Sequence, residues 1–509
     1  MESSTMTQNK VEVHFVLIPL MAQGHLLPMV DVGRLLARRN NVKVTILTTP
    51  LNAVRVQASI DREIQRGSSS PINIQHFRFP NVEVGLPEGC ETLDTIPSMD
   101  LRLNFAKAAF LLQKPIEEAI EKLVSPTTPI CIIYDKHVPV VSEIAKKFKV
   151  PRITFDGSNC LSLLCNRLLY NSKVAENLSP SDSLFVPGFP HRIEFKKYQL
   201  PDLFSQNIGQ DMIRDLRDKM WKDEEEAYGV IVNSFDELEE EYAKEYTRVT
   251  GGKVWCIGPV SLSNKDAMDK AQRGKLDSKE VQEGVYLKWL DSWPARCVIY
   301  ACFGSLDDLR PGVLMELGLG LEASKKPFIW VLRDARKVEE MNKLLKENGL
   351  EERVKGRGLI IRGWVPQLLI LSHKSIGLFV THCGWNSTLE GICTGVPLVT
   401  FPLFSDQFYN DKLVVELMKT GVRVGVESSV YFGVEGKFRD QVKEAIEKAM
   451  GEEDEESERI RERARDYGEK ANRAMEKGGS SYLNLSLMIE DIKQLVKCRV
   501  EDDGSKAKP

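Results

Sequence analysis

Short apolar runs recur along this chain, each closing on a polar residue or glycine and each followed by residues at helical spacing. The first strand is predicted over Val11–Pro19. Its loop, Leu20-Met21-Ala22-Gln23-Gly24-His25, leads into apolar positions at Leu27, Val30, Leu35 and Leu36, with Pro28 suited to a first helical turn. Further strands are predicted over Val42–Leu47, Ile72–Phe79, Ile130–Tyr134 (closing on Asp135) and Arg152–Phe155, with a helix over Val140–Phe148. A second set follows: Val298–Phe303 running into Gly304-Ser305, then Phe328–Leu332, Leu359–Ile361, Ile376–Val380 and Pro397–Phe401. Unbroken apolar runs alternating with amphipathic helices predict parallel sheets with helices on both faces. The fold class is α/β, with two doubly wound, Rossmann-like domains.

Between these sets the pattern fails in places. Pro180–Phe204 is rich in Pro, Phe and Asp and reads as a long loop over a cleft, while Ser261–Glu283 holds almost no large apolar residue and reads as a linker. Glu452–Glu458 is acidic and reads as a solvated loop or helix start, and Ser480–Val496 is amphipathic. The 509 residues exceed one ordinary core. The expected division is an N-terminal domain over 1–260, a linker over 261–285, a C-terminal domain over 286–480, and a last segment, 481–509. Two such domains facing each other would hold a ligand in the crevice outside the carboxyl ends of both sheets.

Charge removes some functions from consideration. With 28 % charged residues and a formal net charge of −4, no global basic field gathers nucleic acid or an anionic membrane. The N-terminal MESSTMTQNK is polar and the first apolar run is broken by Pro19, Gln23 and His25, so no stable membrane insertion is expected and the cytoplasm is the expected compartment. The ten cysteines show no C-x-x-C and no zinc spacing; Cys131, Cys297 and Cys302 lie in or beside strand-like runs and read as core residues.

The densest chemistry lies between Trp364 and Gln407. Ile376–Val380 is followed by Thr381 and then His382-Cys383-Gly384-Trp385-Asn386-Ser387-Thr388 before Leu389-Glu390-Gly391. This is a strand, a polar turn and a helix start. Gly384 admits close backbone approach, and Asn386, Ser387 and Thr388 are N-cap residue types, so a diphosphate fits at the helix N-terminus. His25 and Asp135 each sit at a strand end: the histidine, before a helix whose dipole disfavours its cation, suits a general base, and the aspartate could hold its tautomer. A lone histidine there would more often pack or cap. His137 is a minor rival base.

The stretch WVPQLLILSHKSIGLFVTHCGWNSTLEGICTGVPLVTFPLFSDQ resembles the signature box of the plant secondary-product UDP-glycosyltransferases, from Trp364 to Gln407, and the likeness extends from Val13 to Gly478-Gly479-Ser480-Ser481. It looks closest to the branch that glucosylates flavonoids and triterpenoids. The resemblance implies a GT-B fold with an interdomain cleft, the acceptor held mainly by the N-terminal half, the nucleotide sugar by the C-terminal half, and a C-terminal helix crossing back, with a disordered tail. It implies His25 as base and Asp135 as its orienter. For UDP-sugar binding it implies Trp364 stacked on uracil beside Val365, Gln367 and Glu390 on the ribose, and His382, Gly384, Asn386, Ser387 and Ser305 at the diphosphate. The sugar falls to Trp385, Asp406 and Gln407, and Gln407 argues for glucose. Lys136-His137 and Val140-Val141 depart from the family pattern and bear on acceptor preference.

The function expected is an inverting, metal-independent, UDP-glucose-dependent O-glucosyltransferase acting on a flavonoid or triterpenoid sapogenin to give a β-glucoside. No Asp-x-Asp pair appears in the cleft segments, so no metal or other cofactor is expected, and UDP-glucose is a co-substrate. The expected partners are UDP-glucose and a hydrophobic hydroxylated small molecule, and the expected state is a monomer. Alternatives are a hormone-like or phenolic acceptor, or a non-catalytic nucleotide-sugar binding protein. The last would not need His25 and Asp135. A nicotinamide-dependent Rossmann enzyme would need Gly-x-Gly-x-x-Gly where Pro19-Leu20-Met21-Ala22-Gln23-Gly24-His25 stands.

Overall fold

Strands form where the sequence is apolar on both faces. The computed structural model describes residues 12–67, 70–125, 128–201, 204, 210–273, 283–304, 309–333, 338–429, 436–451 and 454–506. Its strands are β1 (Val13–Ile18), β2 (Val42–Thr48), β3 (Ile72–His76), β4 (Ile130–Asp135), β5 (Arg152–Asp156), β6 (Ser183–Phe185), β7 (Glu194–Lys196), β8 (Gly229–Val232), β9 (Lys253–Cys256), β10 (Val298–Cys302), β11 (Phe328–Leu332), β12 (Gly358–Arg362), β13 (Ile376–Thr381), β14 (Leu398–Thr400) and β15 (Gly421–Arg423). One sheet has the order β3-β2-β1-β4-β5-β8-β9, the other β12-β11-β10-β13-β14-β15. β6 and β7 form an antiparallel hairpin inside the stretch expected to be loop.

Every position of β1, β4, β10 and β13 is buried, as for parallel strands covered by helices on both faces. The ten expected strands are present, Phe328–Leu332 with the expected bounds and the others with ends shifted by up to three residues. β8, β9 and β15 are too short to show a period, which is why the pattern missed them.

The chain divides into two compact units, Met1–Asp156 with Lys219–Ile231 and Leu483–Pro509, and Gly157–Asp218 with Val232–Tyr482. In the first, Val16, Ile18, Phe105, Ile132 and Tyr134 share a core. The last helix, Ser480–Lys506, belongs to it from Leu483 onward, and Arg39 donates to Ser486 Oγ at 3.2 Å. In the second, Phe328, Trp330, Leu378, Val399 and Phe401 share a core with Leu317 and Leu321 of the helix Pro311–Ala323 and with Val442 and Ile446 of the helix Arg439–Met450. Of the expected linker, 274–282 lies outside the described residues, and the rest includes the helix Ala267–Gln272.

Helix packing in the second unit depends on Gly320, where an added Cβ would lie 2.6 Å from Val442 Cβ and 2.9 Å from the Arg439 carbonyl. At Gly312, in the same helix, nothing lies within 4 Å. We predict that Gly320→Ala lowers stability by about 1–3 kcal/mol through overpacking, while Gly312→Ala costs nothing of this kind. Urea denaturation of the two variants checks it; equal midpoints would show that the helices part without cost.

Candidate active site

Each sheet reverses its winding once. In the first, β1 pairs with β2 on one side and β4 on the other, with Ile18 opposite Tyr134 at their carboxyl ends. In the second, β10 lies between β11 and β13, with Cys302 opposite Thr381. Such reversals leave a crevice beyond the strand ends, because the following loops diverge to opposite faces. Of the chemistry read from the sequence, His25 and Asp135 lie where β1 and β4 end and His382 where β13 ends, while Trp364 and Gln367 follow β12 and Asp406 and Gln407 follow β14.

In the first unit, β1 leads to the helix Gln23–Ala37, and β4 ends on Asp135. His25 is the third residue of that helix rather than the residue before it, and Pro28 is the sixth, beyond the first turn expected for it. His25 Nδ1 lies 2.6 Å from Asp135 Oδ2. Because a carboxylate only accepts, this contact places the proton on Nδ1 and leaves Nε2 with its lone pair. The other oxygen, Oδ1, accepts from His137 N at 2.9 Å and faces His137 Nδ1 at 2.9 Å. Asp135 is fully buried, whereas the His25 and His137 side chains are 27 % and 35 % exposed. Burial alone would raise the Asp135 carboxyl, but attraction to His25 and the hydrogen bonds from His137 and His25 outweigh it and hold the group well below the ordinary carboxylate range.

Lys136 points elsewhere. Buried, it pairs with Asp156, and although burial works against its charge, Asp156 and Glu224 keep it a cation. Val140 and Val141 lie in the apolar core, as does Met21. Leu20 packs against that core half-buried.

In the second unit, β13 runs through His382 into the helix Trp385–Cys393, whose N-cap is Gly384 with no side-chain cap. Asn386, Ser387 and Thr388 are therefore first-turn residues, not the cap suggested by their types. His382 is clasped between two glycines. A Cβ on Gly304 (φ +83°) would lie 2.7 Å from its Nε2, and one on Gly384 2.6 Å. Only glycine fits either place. Burial and the Arg333 cation push the imidazole down to about 4, and its Nδ1 is buried with no hydrogen-bond partner within 3.5 Å among the described residues.

Gln367 joins the next group: its amide donates to Ser387 Oγ at 3.0 Å and to Glu390 Oε2 at 2.9 Å. Arg273 Nη1 donates to Glu390 Oε1 at 2.6 Å. Trp364 is half-buried after β12, and Val365 is buried. Trp385 donates its indole N–H to the Asn233 carbonyl at 2.8 Å. Asn410 bridges the Cys383 carbonyl at 2.8 Å and Asp406 Oδ2 at 3.0 Å. Gln407 accepts from Leu403 N at 2.8 Å and Phe404 N at 3.2 Å, so its amide N–H₂ remains its donor end. Ser305 lies outside the described residues.

Arg273 and Asn410 are site residues that the sequence reading missed. Arg273 sits in the apolar-poor stretch read as linker, where no periodicity marks it. Asn410 follows Asp406 by four residues, the spacing of helix neighbours, and that signal was available. Among the described residues, His25, Asp135 and His137 bring one donor atom each within 4.8 Å of one another, a group that could hold a metal ion. Two imidazoles and one carboxylate suit a borderline metal rather than a hard cation.

Residues 11–262 match the family described as glycosyltransferase, N-terminal domain, and residues 270–429 match UDP-glucoronosyl and UDP-glucosyl transferase. The chain is 47 % identical over 498 residues to UDP-glycosyltransferase 73C5 of Arabidopsis thaliana, covering 96 % of this chain and 99 % of the relative. It is 47 % identical over 501 residues to UDP-glycosyltransferase 73C12 of Barbarea vulgaris, covering 97 % and 99 %. Among solved structures it is similar to Glycyrrhiza uralensis UGT73P12 complexed with glycyrrhetinic acid 3-O-monoglucuronide, with a TM-score of 0.85, 34 % identity and coverage of 98 % and 99 %. In fold it also matches Medicago truncatula UGT71G1 complexed with UDP-glucose, with a TM-score of 0.75 at 23 % identity and coverage of 95 % and 98 %.

His382 yields a pH prediction. It is held at about 4 in the folded protein against 6.5 ordinarily, as is His14 through burial and Lys43. Between those values the unfolded chain binds protons that the folded chain does not, so stability is full above about 6.5 and declines as pH falls toward about 4. Urea midpoints should therefore drop from pH 7 to pH 5, and His14→Gln should lessen the slope. An unchanged slope in that variant would show that His14 accepts its proton inside the fold.

Proposed function

The chain belongs to the UDP-glycosyltransferases of plants and has their GT-B fold of two parallel-sheet domains, and from that premise we propose that it is an inverting O-glucosyltransferase that moves glucose from UDP-glucose to a hydroxyl of a flavonoid or triterpenoid sapogenin. The observation that carries the reading is the 2.6 Å bond from His25 Nδ1 to buried Asp135, which turns Nε2 away from the carboxylate as the basic nitrogen. His25 Nε2 takes the acceptor proton as the hydroxyl oxygen attacks the anomeric carbon, and Asp135 stabilises the imidazolium. The bond to the diphosphate breaks in the same displacement and UDP leaves with the electron pair. One displacement inverts the centre. An α-linked donor gives a β-glucoside.

In this reading the acceptor is held mainly by the domain over 1–260 and the donor mainly by that over 286–480. Trp364 stacks on uracil, and Glu390 and Gln367 accept and donate at the ribose. The N–H groups of the first turn of the helix Trp385–Cys393, with Asn386, Ser387 and Ser305, stabilise the leaving diphosphate. The depressed His382 imidazole contributes a neutral N–H donor rather than a charge. A triterpenoid acceptor is supported by the Glycyrrhiza relative, complexed with glycyrrhetinic acid 3-O-monoglucuronide. We further propose that the protein acts as a cytoplasmic monomer; among the described residues no helix is long and apolar enough to cross a membrane. A panel of aglycones incubated with UDP-glucose and read by mass spectrometry tests the substrate class, and a panel without glucosides would remove it.

Three outcomes are expected. His25→Ala reduces turnover by roughly 10²–10⁴ with UDP affinity nearly unchanged; more than a tenth of wild-type turnover would end its role as base. EDTA leaves activity intact, since we propose that no metal takes part; loss restored by Mg²⁺ or Mn²⁺ would reverse this. UDP-glucose exceeds UDP-galactose by at least roughly tenfold in kcat/KM, because Asp406 and the Gln407 amide grip neighbouring sugar hydroxyls, and a mismatched buried hydrogen bond costs about 1–3 kcal/mol. Gln407→His narrows that gap mainly by damaging glucose transfer. Equal use of UDP-galactose or UDP-glucuronate by the wild type would refute the donor assignment.

A further inference from the structure

Asp135 serves two imidazoles. His25 and His137 both face the carboxylate through Nδ1, at 2.6 Å and 2.9 Å on opposite oxygens, so both turn Nε2 away from it. Both rings reach solvent, 27 % and 35 % exposed, while the carboxylate between them is fully buried. The His137 main chain is fixed as well, its N–H donating to the same oxygen at 2.9 Å. The rings lie edge to face, with centroids 5.3 Å apart. His137 thus repeats the features that recommend His25 as a base: a carboxylate on Nδ1, an Nε2 turned away from it, and access.

We propose that His137 is a second catalytic base, serving acceptor hydroxyls that lie beyond the reach of His25 and so widening the set of positions glucosylated on one aglycone. The inference rests on the reading of His25–Asp135 as the base pair of a glucosyltransferase. The step is the same at either base. The hydroxyl proton passes to His137 Nε2, the oxygen bonds to the anomeric carbon, and the bond to UDP breaks with the pair leaving on the diphosphate. One carboxylate carries one negative charge, so it favours one imidazolium at a time, and the two bases work as alternatives on different poses. Hydroxyls separated by about the width of one aromatic ring would divide between them.

The test uses the full-length enzyme with UDP-glucose and two probes, quercetin and glycyrrhetinic acid, with initial rates and regioisomers read by liquid chromatography and mass spectrometry. Four forms are compared with the wild type: His25→Ala, His137→Phe, His137→Gln and His25→Ala/His137→Gln. His137→Gln keeps an N–H donor for Asp135 but has no basic nitrogen, which separates a base from a residue that merely steadies the carboxylate. We expect His25→Ala to keep about 10⁻² of wild-type turnover, and the double variant to fall at least about tenfold further. His137→Phe and His137→Gln should both change the regioisomer ratio on quercetin, through kcat rather than KM. If the double variant matches His25→Ala, or if His137→Gln retains the wild-type ratio, the second base is overturned and His25 stands. Retention of more than a tenth of turnover by His25→Ala would instead overturn the base pair itself. Circular dichroism and the urea midpoint confirm that each variant is folded.

Discussion

The strand pairings β1 with β4 and β10 with β13 are the constraint on which the rest depends. A parallel strand needs a crossover to reach its neighbour, and where two successive crossovers go to opposite faces the loops part and leave backbone ends and side chains facing outward. Both sheets do this once near their middle. The His25–Asp135 pair and the His382 turn are the side chains that emerge there. The apolar burial that defines the strands thus also fixes, within a residue or two, where polar chemistry can stand.

Polar groups at these places are tuned by what lies beneath them. Asp135 is fully buried, and an unpaired carboxylate there would be costly, yet two imidazoles and a backbone N–H satisfy it. His382 goes the other way: glycines on both sides press close to its ring, and nearby Arg333 opposes a second positive charge. Glu390 is held on one side by Arg273 and on the other by Gln367, so its geometry is set before any ribose approaches. A base, a neutral donor and a fixed acceptor therefore arise from three different local environments.

Much of this was legible in the residues themselves. The long buried strands betrayed themselves as apolar runs, and the Trp364–Gln407 stretch gave the strand, turn and helix that the structure contains. What escaped was of three kinds. β8, β9 and β15 run only three or four residues, shorter than the window in which a period can be recognised. The partners Arg273 and Asn233 reach Glu390 and Trp385 from far along the chain, and nothing local marks a residue for a contact 117 or 152 positions away. The N-cap at Gly384 escaped because Asn386, Ser387 and Thr388 have the side chains that usually cap, while here the turn needs glycine beside His382 more than it needs a capping oxygen.

The first compact unit is assembled from three stretches of chain, the last beginning at Leu483. While the protein is being made, β1 through β5 leave the ribosome early, but the helix Ser480–Lys506 is joined only after every strand of the second unit. The first unit therefore waits for the whole of the second to be made before the surface around Arg39 receives its partner Ser486. The second unit has all its strands from β10 to β15 before that moment. The domain that begins the chain is, in the order of folding, the one completed last.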